Sequence, residues 1–367
     1  MTEALQISFF LLSFFLLLRN NFSDLSKMSY KQAIASMSLG RAWVHKLIPK
    51  LDAASSNNFA GIEIFYEDLE YLAREQSNTE NPAKEALISA ARSIKNLCQE
   101  RNLTIIGLQP FLHYEGLIDR KEHASRIEKL DIWFQIVKAL GTDIIQIPAN
   151  FLPSSQCTGD LDIVVKDLQE VADLGLKQTP VIKFAYENLC WSTHFDTWES
   201  GWDIVSRVDR PNFGLCLDTF NIAGRVYADP ASASGKTPNA DEDLRKSLAE
   251  LVKKVDVKKV FYIQVVDAEK MREPLVKGHA FYAENQPARM SWSRNARLFA
   301  GEDGGYLPVM DVTRAIIQGL EYRGWVSMEL FSRTMSMEGE HVPGEHARRA
   351  GEAWRRVEEE IKTWEIR

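Results

Sequence analysis

The chain has 367 residues, 45% hydrophobic and 26% charged, the balance of an ordinary soluble protein with enough core to need no staples. A formal charge of −7 argues against a nucleic-acid partner, whose phosphates favour a basic face. The four cysteines, Cys98, Cys157, Cys190 and Cys216, lack CxxC spacing, which fits a reducing, cytoplasmic setting better than a disulfide framework or zinc knot.

At the amino terminus, 7–18 is an almost uninterrupted apolar run that ends at Arg19. It is short of the roughly 20 residues a bilayer span takes. As a secretory signal it lacks a basic start, since Glu3 is its one preceding charge, and no small-x-small cleavage site follows. The segment 1–27 therefore reads as an extension outside the fold, with a weak membrane anchor as the rival view. The remainder, 28–367, reads as a single catalytic domain with no stable membrane partner.

From there, short β-rich runs alternate with stretches of helical period. The expected strands are 33–39, 61–66, 103–109, 143–148, 181–188, 213–218, 260–266 and 325–331. Helices are expected over 45–55, 82–101, 125–140, 161–174, 197–208, 241–255 and 344–363. Near-continuous apolar strands alternating with helices imply a parallel sheet covered on both faces. Eight such units favour a (β/α)8 TIM barrel over an open sheet, and no Gly-rich phosphate turn follows the first strand. Two connections, 226–239 and 267–308, are unusually long and leave the carboxyl ends of strands six and seven, where barrel active sites are built.

Strands five to eight each carry a polar residue where their apolar run ends. Glu187 ends VIKFAYE, Asp218 ends FGLCLD, Gln264 sits in VFYIQVVD and Glu329 in WVSMEL. Any one carboxylate there fits a core ion pair. Three carboxylates and an amide converging on one barrel mouth would repel each other without a cation. Oxygen-only ligands suit a hard divalent ion, Mg2+, Mn2+ or Co2+.

An ordered set of segments carries a family resemblance over most of the barrel: SMSLG at 37–41, GIEIFYEDL at 61–69, LQPF at 108–111, YEN at 186–188, CLDTFN at 216–221, QVVDAE at 264–269 and MELFS at 328–332. Together they resemble the fungal 3-dehydroshikimate dehydratases of quinate catabolism, within the xylose-isomerase-like barrels. Two-domain bacterial relatives carry a dioxygenase-like second half, which is not found after the eighth helix here. The resemblance implies Glu187, Asp218, Gln264 and Glu329 as metal ligands. It also implies dehydration of 3-dehydroshikimate to protocatechuate through a metal-stabilised enediolate. Gln264 stands where many barrels of the superfamily have His, and Asn221 where many relatives have a titratable His.

Candidates to move the protons are His113, after LQPFL, and His194, in CWSTHF. Glu63, inside strand two, is either a residue that orients a ligand or a paired core charge. The substrate carboxylate calls for a cation, and the strand-seven loop offers Arg272, Arg294 and Arg297 together with His279 and Tyr282. Arg294 and Arg297, in SWSRNARLFAGEDGG, resemble the family's Arg-containing loop. A sugar isomerase or epimerase on the same metal-dependent barrel is the alternative reading. An apurinic endonuclease would want a His-rich mouth and a basic groove, and a silent barrel would have lost its ligands. A small-molecule substrate is the expected partner; the oligomeric state is left open.

Overall fold

Strands that bury both faces need helices above and below, and this sequence satisfies that requirement by closing its sheet into a ring. The computed structural model describes residues 30–365, so the apolar segment 1–27 lies outside the described residues. The barrel strands are β1 (Lys31–Ala35), β2 (Gly61–Phe65), β3 (Thr104–Gln109), β4 (Ile144–Pro148), β5 (Lys183–Glu187), β6 (Phe213–Asp218), β7 (Val260–Gln264) and β8 (Trp325–Met328). All are parallel, neighbours follow chain order, and β8 closes the ring between β7 and β1. The eight expected strands are all present, with ends displaced by a few residues. The largest difference is in the first, where 36–39 forms a 3-10 turn instead of continuing the strand.

The outer helices are α1 (Leu47–Ser56), α2 (Tyr66–Ser77), α3 (Lys84–Glu100), α4 (Arg120–Leu140), α5 (Leu161–Leu176), α6 (Trp198–Val208), α7 (Thr219–Val226), α8 (Ala240–Lys254), α9 (Ala288–Ala296), α10 (Val309–Arg314) and α11 (Val342–Glu365). α4 starts five residues before the expected 125, because Asp119 caps it by accepting the backbone N–H groups of Lys121 and Glu122. α2, α7, α9 and α10 are additions to the sequence reading, and α2 and α7 each begin at the residue after a strand, leaving no loop signal to separate them. The long connection after β7 folds as well: Asp267–Ala268 pairs antiparallel with Arg297–Leu298, and α9 fills the space between. That pairing returns Arg297 to the barrel.

The pleat then decides which side chains reach the centre, because residues two apart on a strand share a face. Ala185, Cys216 and Tyr262 belong to a buried cluster with Ala33 and Ile106. One pleat step further along the same strands stand Glu187, Asp218 and Gln264. The same step leads from Gly61 to Glu63 on β2. An apolar layer thus forms the floor on which a polar layer rests.

Gly214 on β6 tests how tightly this scaffold is built. A Cβ there would lie 2.4 Å from the Lys259 carbonyl oxygen and 2.8 Å from the Phe261 ring, and backbone cannot swing aside. Gly214→Ala is expected to lower stability by about 1–3 kcal/mol in urea unfolding. Gly344→Ala, in α11 with nothing within 4 Å, is expected to be neutral or stabilising by up to about 1 kcal/mol. Equal effects of the two would contradict the packing described.

Candidate metal centre and active site

The barrel geometry gathers all four of the strand-end polar side chains expected to hold a metal. Glu187, Asp218 and Glu329 bring one oxygen each to within 4.8 Å of one another, and none of the three is more than 2% exposed. Gln264, fully buried beside them, donates its amide N–H to Glu63 at 3.1 Å, and its carbonyl oxygen has no hydrogen-bond partner. A buried acceptor without a donor is costly in a protein interior and fits a position awaiting a cation. The donor set, three carboxylates and an amide oxygen, is the hard-oxygen chemistry that divalent ions take. The residues present therefore fit a metal ion.

An amide frame holds these groups in place. Asn221 donates to Glu187 Oε1 at 2.7 Å and to Asp218 Oδ2 at 2.9 Å, while its own oxygen accepts from the Cys190 N–H. Gln146 donates to the other Glu187 oxygen. Gln109 donates to Glu63 Oε2 at 2.8 Å, so two amides grip that carboxylate. Asp218 Oδ1 accepts the Phe220 N–H at 2.7 Å, so one residue ends β6 and caps α7. Gln109 and Gln146 were not singled out from sequence. Gln109 carries the signal that found Gln264, a polar side chain at the carboxyl end of a buried strand, while Gln146 is a polar side chain in the middle of one.

Arg297 is the cation of the cluster. Its guanidinium is 1% exposed, 2.8 Å from Asp218 Oδ2 and 3.2 Å from Glu329 Oε2, with the Phe220 ring centroid at 4.2 Å. Burial works against its charge, but Asp218, Glu329 and Glu187 outweigh that and hold its pKa above the ordinary value. The carboxylates carry the converse strain. Burial lifts Glu63 to about 7 and Glu329 to about 8. Burial, then the charges of Glu329 and Asp218, push Glu187 well above the usual range.

A cavity of about 730 Å³ opens over this centre. Glu187, Glu329, Arg297 and Arg294 line it, as do Phe65, Trp191 and Phe331. The sequence places His113 and His194 at the reacting centre, and the structure does not bring them there. His113 adopts φ +56° in the β3 loop, its Nδ1 3.2 Å from Asn150 Oδ1 and its ring against Phe151. His194 bonds the Cys157 carbonyl at 3.2 Å. His279 accepts the Phe281 N–H within its own loop, and Arg272 and Tyr282 are exposed there. Among the described residues, no histidine lines the cavity, and neither does Arg272.

A closed parallel barrel with an all-oxygen cluster at the carboxyl ends of β5 to β8 defines the class of protein. The chain belongs to the xylose isomerase-like TIM barrel family, whose model matches residues 51–357. Within it, the chain is 57% identical over 342 residues to the 3-dehydroshikimate dehydratase of Neurospora crassa, covering 91% of this chain and 95% of that one. Among solved structures, a xylose isomerase-like TIM barrel/4-hydroxyphenylpyruvate dioxygenase fusion protein superposes with a TM-score of 0.68 at 23% identity. The match covers 90% of this chain and 43% of the fusion protein. The IolI protein, solved with a zinc atom, superposes with a TM-score of 0.64 at 18% identity, covering 89% and 97% of the two chains.

The raised carboxyl groups give a pH signature. Glu63 and Glu329 keep their protons to about pH 7 and 8 in the fold, against an ordinary value of 4.5. Between those limits the fold binds more protons than the unfolded chain, so stability falls as pH rises. Chelator-treated protein is expected to melt several degrees lower at pH 8.5 than at pH 6, and Glu329→Gln to flatten that slope. A melting temperature that rises across the interval would contradict the electrostatic reading of the cluster.

Proposed function

We propose that the chain is a divalent-metal-dependent 3-dehydroshikimate dehydratase, removing water from 3-dehydroshikimate to give protocatechuate. One observation carries the metal dependence: the unpartnered Gln264 oxygen beside three converging carboxylates. The substrate follows from the 57% identity to the Neurospora crassa enzyme over nearly the full length of both chains.

Glu187, Asp218, Gln264 and Glu329 would hold the ion. When bound, it supplies Lewis-acid chemistry, polarising the C3 carbonyl and C4 hydroxyl of the substrate and making the C4 proton easier to remove. The remaining work falls to the chain's own residues. Glu63 accepts the Gln264 amide N–H, so the carbonyl oxygen would face the ion, which supports the orienting role over the paired core charge. Asn221 and Gln146 fix Glu187, a task for which an amide suffices. Arg297, which the sequence points at the substrate carboxylate, balances the charge of Asp218 and Glu329 and fixes their orientation.

Phe65, Trp191 and Phe331 give the cavity apolar walls that suit a planar ring and exclude water. Loss of the C4 proton and the C5 hydroxyl, followed by tautomerisation, gives the aromatic product and one water. Arg294 at the cavity wall adds positive charge to a site that takes a carboxylated ring, for which a polyol substrate of a sugar isomerase has no use. The enzyme acts on a small molecule, and among the described residues no helix is long and apolar enough to cross a membrane.

The direct test follows protocatechuate absorbance after chelator-stripped protein is mixed with 3-dehydroshikimate, before and after addition of Mg2+, Mn2+ or Co2+. Product is expected only after metal addition. Glu329→Ala is expected to lower the metal-supported rate by at least about a thousandfold, since it removes a proposed ligand and one of the two acidic partners of Arg297. A flat trace from folded, metal-loaded protein rejects the dehydratase reading and favours the sugar isomerase.

A further inference from the structure

If the substrate is a ring carboxylate, as proposed above, its carboxylate must meet a cation that is not already neutralised. Among the described residues, five cationic side chains line the cavity: Arg41, Lys129, Arg294, Arg297 and Arg333. Three have acidic partners. Arg41 pairs with Glu67 at 3.0 Å, Arg333 with Glu269 at 2.8 Å, and Arg297 with Asp218 and Glu329. Arg294 donates to the neutral Gln286 Oε1 at 2.8 Å and stands exposed at the end of α9.

Lys129 is different. It projects from the 21-residue helix α4 and is half-buried. Its Nζ lies 5.4 Å from the Tyr66 ring centroid and 5.9 Å from that of Trp133. Those two rings stack at 5.0 Å and form a rigid shelf. Among the described residues it has neither a hydrogen bond nor a carboxylate within 4 Å of Nζ. An ammonium held partly out of water on aromatic faces, with no counter-ion, gains most when an anion arrives. Burial and the nearby Arg126 also act against its charge, with Glu70 opposing them, so the free state is the less comfortable one.

We propose that Lys129 is a substrate-binding residue that receives the ring carboxylate from the α4 side of the cavity and selects carboxylated rings over neutral ones. Arg294 then contributes long-range positive charge from the opposite loop. The sequence hides this role, because a lysine on an amphipathic helix ordinarily reads as part of a solvated face.

The test compares two ligands of the same ring, protocatechuate and catechol, by isothermal titration. The protein is loaded with whichever of Mg2+, Mn2+ or Co2+ supports turnover, or with Mn2+ if none does. Wild-type protein is expected to bind protocatechuate about ten- to a hundredfold tighter than catechol. Lys129→Met should lose most of that preference while leaving catechol affinity unchanged, and Lys129→Arg should restore much of it. Unchanged catechol binding also shows that the variant is folded with its centre intact. A Lys129→Met protein that keeps the preference, or that loses affinity for both ligands alike, overturns the assignment. In the first case Arg294→Met is expected to remove the preference instead. Wild-type protein that prefers the carboxylated ring through Lys129 yet turns over no 3-dehydroshikimate separates the two ideas, sinking the dehydratase reading and upholding the subsite.

Discussion

Three carboxylates within 4.8 Å of one another, all out of water, are the constraint around which the barrel mouth is organised. Like charges so placed repel strongly in a low-dielectric interior, and each also loses its hydration. The fold answers in three ways. Arg297 brings one positive charge to two of them, amides from Asn221 and Gln146 donate hydrogen bonds to the third, and burial lifts their proton affinities. None of these satisfies the oxygen of Gln264. The proposed divalent cation would answer the remaining charge and the remaining acceptor together.

The scaffold makes this arrangement rigid at little conformational cost. Glu187, Asp218 and Gln264 each stand one pleat step beyond the apolar floor on a strand paired on both sides, and Glu329 directly follows β8, so backbone hydrogen bonds fix these positions before any side chain moves. The more adaptable parts come from connections. The loop after β7 folds back to deliver Arg297 and Arg294, and α4 carries Lys129 on its aromatic shelf. The division matches the proposed chemistry: strands carry the residues that would hold an ion, while loops and helices line the space above them.

The strands and the four polar side chains that converge at the mouth were legible in the sequence because both depend on local pattern. A buried parallel strand writes itself as a short β-rich run, and a carboxylate at its end is conspicuous against apolar neighbours. Glu187, Asp218, Gln264 and Glu329 were found in that way. What depends on loop conformation was not legible. His113 and His194 sit close in sequence to strand ends, yet their rings turn to Asn150 and the Cys157 carbonyl and do not line the cavity. Arg297 could be assigned to the mouth but not to its partners, since the return of the β7 loop joins residues far apart in the chain. Gln109 and Gln146 carried a usable signal that passed unread, because neutral amides in buried strands attract less notice than charges.

The central claim is that one divalent ion sits among Glu187, Asp218, Gln264 and Glu329. Anomalous X-ray diffraction from crystals grown with Mn2+ tests it most directly. The expected result is a single strong peak within coordination distance of an oxygen from each of the four, including the Gln264 carbonyl. A peak elsewhere, or none at saturating Mn2+ with Arg297 still bridging Asp218 and Glu329, would contradict the account.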